Sequence, residues 1–130
     1  MQVNKELAET ADKQLMQRVL EQDEPYAMYE AGAWAAIIEK GDTDAPAPQR
    51  GEQWVIRMRI CDLDGHLLND TEATYTIGKH ELPNAVEQNI GEWHRGCRVK
   101  MFVPWYAAFG MQGTKDIPPY ENVMIELELK

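Results

Sequence analysis

Between Trp54 and Ile60 the chain alternates, with Trp54, Ile56, Met58 and Ile60 apolar and Arg57 and Arg59 charged. That period of two is what a strand with one buried face imposes. The pattern returns in VMIELEL, Val123–Leu129, and a third apolar run, Arg98–Val103, also reads as a strand. Asp64-Gly65 marks a tight hairpin turn after the first strand, and a short strand is expected through Ala73–Ile77, broken by Gly78. The start of the chain follows another period. Leu7, Ala8, Ala11, Leu15, Met16, Val19 and Leu20 recur at spacings of three and four, which predicts a helix over 4–22 with Asn4 as candidate cap. An isolated helix of this length is marginal in water, so its stripe must rest on something. Folding back onto the domain is the simpler solution; pairing with the same stripe of a second chain, giving a homodimer, is the other.

Residues 84–93, NAVEQNIGEW, predict a short helix with Asn84 at the N-cap and Glu87 three residues later, as in a capping box. AGAWAAIIEKGD is ambiguous by pattern, since its alanines favour helix while Trp34, Ile37 and Ile38 suit a strand. Pro25 breaks the chain after the first helix, and Pro46 and Pro48 hold a surface loop extended. The segment 104–122 is long for a loop inside a compact domain, and such loops are usually functional.

Composition narrows the function. The chain has 130 residues, 44% of them hydrophobic, enough for one core. Its net charge is -9, of which -4 falls in residues 1–40 (4 basic, 8 acidic) and -5 in the rest, so no basic segment is concealed. Such a surface does not suit nucleic acid or an anionic membrane. Two cysteines, Cys61 and Cys97, make no disulfide framework and read as free buried thiols. No apolar run approaches the ~20 residues of a membrane span, and the first residues lack a signal-peptide core. The chain as given is expected to be soluble. A leader replaced by Met1 would leave no trace, so bacterial cytoplasm and periplasm both stay open.

Candidate chemistry is sparse. DLDGH brings Asp62, Asp64 and His66 together, but an EF-hand with Gly65 as its sixth residue would have Ile60 and Thr71 at its two anchor positions. A metal is not expected, nor any cofactor. The chain contains no serine and hence no nucleophile elbow, and it has no phosphate-binding glycine loop.

The informative stretch is 96–129, GCRVKMFVPWYAAFGMQGTKDIPPYENVMIELEL. A strand ends in Val-Pro; Tyr-Ala-Ala-Phe-Gly, a variable tip, Ile-Pro-Pro and an alternating strand follow. This order and spacing resembles the C-terminal signature of FKBP-type peptidyl-prolyl cis-trans isomerases. Ile77-Gly78-Lys79, VEQNIGEWHRGCRV, Arg50-Gly51, Asp64-Gly65 and AGAWAAIIEKGD extend the resemblance back to Ala31, and the last of these then favours a strand. The fold implied is α+β: an FKBP-like domain over 31–130, with a strongly curved antiparallel sheet wrapped around a short helix. Residues 1–30 are left as an N-terminal helical extension.

The resemblance implies an apolar pocket for the proline of X-Pro peptides, walled by aromatic rings. In this chain most of those rings are replaced. The pocket tyrosine of the long strand falls at Met58, the phenylalanine-aspartate pair at Leu68-Asn69, and another wall phenylalanine near Ala73. The floor tryptophan becomes Val86, the loop tyrosine Phe109 and the phenylalanine of the last strand Ile125, while Ile117 matches. The two residues before the helix are Leu82-Pro83, and the backbone N–H that grips a peptide belongs to the second. Pro83 has none, although a one-residue slip would restore a donor. Catalytic positions thus fall on Phe109, Asn69 and Met58, and substrate-binding ones on Leu68, Leu82, Pro83, Val86, Ile117 and Ile125. Trp93 or Trp105 are candidates to refill the space. The implied function is an isomerase of weak or altered activity on proline-containing polypeptide clients. The alternative is a non-catalytic chaperone or binding module using Trp105, Tyr106, Phe109 and Met111 as an exposed contact surface.

Overall fold

The structure, a computed structural model, describes residues 2–130. In chain order it runs α1 (Gln2–Leu20), β1 (Ala27–Met28), β2 (Trp34–Glu39), β3 (Gln53–Asp62), β4 (Leu67–Thr76), α2 (Asn84–Asn89), β5 (Arg98–Val103) and β6 (Val123–Leu129). Single 3-10 turns lie at Glu30–Gly32, Ile90–Glu92 and Trp105–Ala107. The six strands form one curved antiparallel sheet in the order β1-β2-β5-β6-β3-β4.

Alternation decides which face is covered. Trp54, Ile56, Met58 and Ile60 of β3 and Val123, Ile125, Leu127 and Leu129 of β6 are all buried. They close over Ala85, Val86 and Ile90 of α2 and its following turn, together with Trp93 and Leu82. Burying such side chains contributes roughly 1.5–3 kcal/mol each and dominates the fold's stability. The other face is laced with charge. Arg57 forks onto Asp70 at 3.0 and 3.2 Å, Arg98 reaches Glu39 at 2.9 Å, and Lys100 reaches Glu24 at 2.9 Å. Half-exposed pairs of this kind contribute about 1 kcal/mol or less apiece, so they keep the face wet rather than hold the sheet.

AGAWAAIIEKGD forms the strand β2, with Ala35 and Ala36 buried. β4 is longer than its sequence pattern announced: it pairs along nearly all of β3, from Gln53↔Thr76 to Cys61↔Leu67. A register shift between Ile60 and Cys61 leaves Leu68 unpaired at a bulge.

The helix α2 begins one residue earlier than a cap at Asn84 requires. Pro83 occupies the N-cap, and its carbonyl accepts from the N–H groups of Val86 and Glu87 at 2.9 and 3.0 Å. A capping box needs an N–H on the cap residue, which proline lacks, so the box cannot close. Glu87 instead accepts from the Gly78 N–H at 3.1 Å. Buried Asn89 ties α2 to the turn at Glu30, accepting from its N–H at 3.0 Å and donating to its carbonyl at 3.2 Å.

The N-terminal helix folds back onto β5 and the 3-10 turn that follows it. Ala11 and Leu15 are fully buried there, while Leu7, Met16 and Leu20 of the expected stripe face solvent. Asn4 lies inside the helix and is no cap; its side-chain amide meets Met111 Sδ at 3.4 Å. Both cysteines are free and buried, and burial pushes the Cys97 thiol up to about 11. Among the described residues no helix is long and apolar enough to cross a membrane.

Candidate functional site

A groove of about 490 Å³ opens where β3, β4, the start of α2 and the 104–122 loop meet. Met58 and Ile60 reach it from β3 and Asn69, Thr71 and Tyr75 from β4; His80, Glu81, Leu82 and Pro83 come from the entry to α2. The long loop contributes Ala108, Phe109, Thr114 and Ile117. Strand pairing explains why the first two sets converge. Residues directly opposite in an antiparallel pair share a face, and Ile60 lies opposite Asn69, Met58 opposite Thr71 and Trp54 opposite Tyr75.

Six of the nine candidate residues therefore come together here: Met58, Asn69, Leu82, Pro83, Phe109 and Ile117. Three do not reach the surface of the groove. Val86 and Ile125 are fully buried in the core, and Leu68, at the bulge, packs partly buried against that core. Val86 is completely covered and so forms no exposed floor to the groove.

Tyr75 and His80 line the groove and did not emerge from the sequence. Tyr75 returns a ring and a phenol to a wall expected near Ala73, which is exposed and leaves space. The hairpin register was the signal that carries Tyr75 to this face. His80 holds a left-handed backbone, φ 60°, uncommon for a residue with a side chain. Pro83 offers no N–H at the rim, and its neighbour Leu82 is buried.

The loop is shaped from within and held from outside. At its tip the Thr114 hydroxyl accepts from the Asp116 and Ile117 N–H groups at 3.2 and 3.1 Å, and the Thr114 N–H donates to the Ile117 carbonyl at 2.8 Å. Gly113 has φ +66°, and a side chain there would overlap the Ile117 carbonyl oxygen. Outside, Trp105 is buried rather than exposed, only 7% accessible, because α1 covers it. Its indole N–H points to the Leu7 carbonyl at 3.5 Å, the Tyr106 hydroxyl donates to Asp12 at 2.6 Å, and the Asn122 amide donates to Gln14 at 3.0 Å. Burial first, and then this bond to Asp12, raise the Tyr106 phenol well above its ordinary range. Trp93 lies in the core edge-on to Tyr29, 5.9 Å between centroids, so neither tryptophan refills the groove.

No family model matches the chain, and no curated protein sequence does. Solved structures do. A peptidyl-prolyl cis-trans isomerase (PPIase) from Pseudomonas syringae pv. tomato superposes with a TM-score of 0.75 at 18% identity, covering 94% of this chain and 92% of that one. FkpA from Escherichia coli gives 0.77 at 16% identity; the match covers 94% of this chain but 57% of FkpA. The chain has an FKBP-like fold. The coverage reaches the N-terminal helix as well as the sheet, so the FKBP-like fold is matched over nearly the whole chain. Within it, the groove occupies the open side of the sheet between the hairpin β3–β4 and the loop before β6.

A second acidic feature lies elsewhere, at the hairpin turn. Donor atoms of Asp62, Asp64 and His66 fall within 4.8 Å of one another. All three already have partners: Asp62 Oδ1 accepts from the Asp64 and His66 N–H groups, both at 2.9 Å, Asp62 Oδ2 meets His66 Nδ1 at 3.0 Å, and Asp64 Oδ1 accepts from Arg18 of α1 at 2.8 Å. Partial burial acts the other way, but these bonds hold the Asp62 carboxyl below its usual range.

Proposed function

We propose that the groove binds X-Pro segments of polypeptide clients and that the protein is an FKBP-type peptidyl-prolyl cis-trans isomerase of weak or altered activity. The observation that carries this reading is the convergence of Met58, Leu82, Phe109 and Ile117 on one open groove in a fold shared with a peptidyl-prolyl isomerase. Isomerisation needs no nucleophile or cofactor. The barrier of about 18–20 kcal/mol comes from amide resonance, and a dry apolar wall that favours the twisted amide over either planar form lowers it. Phe109 and Ile117 would seat the proline ring, with Met58 and Tyr75 beside it. The reading of weakness rests on Pro83, which cannot donate an N–H to the peptide, and on Phe109, which has a ring without a hydroxyl.

The same absences support a second reading, a chaperone or binding module that holds clients without turning them over. The exposed Tyr106 and Met111 at the loop favour it. Homodimer formation through α1 is supported by Met16 and Leu20, which stay exposed one turn apart on the helix. A proline-limited refolding assay separates the two functions. An isomerase accelerates the slow phase in proportion to its concentration, and Phe109→Ala should cut that acceleration by about tenfold or more. No acceleration at high protein concentration, with client aggregation still suppressed by Phe109→Ala, would establish the holding function instead.

A further inference from the structure

A carboxylate far away in sequence is tied to the lining of the groove. Asn69, a lining residue on β4, donates through Nδ2 to Asp116 Oδ2 at 2.9 Å, across 47 residues of sequence. Asp116 immediately precedes Ile117, which is 3% exposed and also lines the groove. The Thr114 hydroxyl and the Gly113 turn fix the main chain on either side, so the placement of Asp116 is built rather than incidental. Asn69 engages one carboxylate oxygen, and Asp116 is otherwise exposed. An amide suits this task, because it donates a hydrogen bond to the carboxylate and adds no like charge beside it.

We propose that Asp116 is a specificity-determining residue that selects clients carrying Lys or Arg next to the proline, with Asn69 as its positioning residue. The proposal rests on the reading of the groove as an X-Pro site. The surrounding charges favour it. Glu81 lines the same groove, with one oxygen accepting from the Thr76 N–H at 2.6 Å, and His80 is the one lining residue with a basic ring. Lys79, Lys115 and Asp116 all lie outside the lining, but of the three it is Asp116 that is bonded to a lining side chain, that of Asn69. The fixed charges tied to the lining are therefore carboxylates: Glu81 within it, and Asp116 at its edge through the bond to Asn69. A cation beside the proline gains an ion pair there that a neutral side chain does not, and the overall charge of -9 steers such clients inward.

Chemical-shift titration of the full chain with Ala-Xaa-Pro-Phe and Ala-Ala-Pro-Xaa peptides, Xaa being Lys, Leu or Glu, tests this directly. At low salt the Lys peptide of one series is expected to bind about three- to fivefold tighter than its Leu counterpart, with Glu weakest. The Lys-to-Leu ratio should fall towards one in Asp116→Asn and in high salt, persist in Asp116→Glu, and drop part-way in Asn69→Ala. Equal binding of Lys, Leu and Glu peptides by the unaltered chain, or a ratio that Asp116→Asn leaves intact, overturns the proposal while the X-Pro groove stands. If no peptide binds, whatever its charge, the groove reading falls as well.

Discussion

The two sides of the 104–122 loop use their side chains in opposite ways. On the side facing the groove, Phe109 and Ile117 stand apart around an open space shared with Tyr75. On the side facing α1, Trp105 packs edge-on against Tyr106 and Tyr120, with centroids 5.7 and 4.8 Å away, and hydrogen bonds fasten the cluster to the helix. Tyr75 and Phe109 line an open groove, while the rings of the support behind it pack against one another. Contacts on the outer side hold the loop in place, so its inner side need not close up in order to be stable. That separates two properties which a ring-lined pocket would combine: the shape of the site and its chemistry.

Three substitutions probe that separation, in falling order of expected effect. Trp105→Ala removes the centre of the outer cluster and should cost about 3–5 kcal/mol in denaturant unfolding, with peptide binding lost as the loop loosens. Retention of binding in a folded, destabilised variant would show that the groove does not depend on its backing. Gly113→Ala forces a side chain into a left-handed turn and against the Ile117 carbonyl; about 2 kcal/mol of stability is expected to go. Its larger effect should be on peptide affinity, and unchanged affinity would detach the loop tip from the site. Tyr106→Phe deletes the bond to Asp12 and should cost about 1 kcal/mol or less. The folded chain holds the Tyr106 proton more tightly than the unfolded chain, whose phenol titrates near 10.0. Its contribution is thus complete below pH 10 and declines as pH rises above it. Unfolding curves of the two proteins should converge in that range.

The sheet's centre was legible because its chemistry is local. Strands β3 and β6 bury one face, and their alternation records it residue by residue, while β5 is an apolar run buried on both faces at its end. β4 is an edge strand with few buried side chains, so LLNDTEATYT carries no alternation and only its last residues suggested a strand. The start of α2 was misplaced by one residue because Asn84 has the right side chain for a cap, yet proline took the position. Leu82, Phe109 and Ile117 could be placed through the resemblance to FKBPs. Tyr75 needed the hairpin register, and Asp116 needed a contact between residues far apart in sequence. Trp105 was read as exposed because nothing in its own segment says that residues 7–15 lie over it. Coverage by a distant element leaves no local mark.

The strand order has a consequence for how the molecule is made. β1 and β2 lie on one side of the sheet and the hairpin β3–β4 on the other, with β5 and β6 between them. The strands synthesised last are the ones that join the two halves. Until residues 98–129 have left the ribosome, the earlier strands have no shared edge, and the apolar face of the hairpin has no partner. Such long-range pairing is slow and leaves transient sticky surface. The sheet is therefore expected to assemble only after β6 emerges, so a nascent chain stalled at residue 97 should be protease-sensitive throughout.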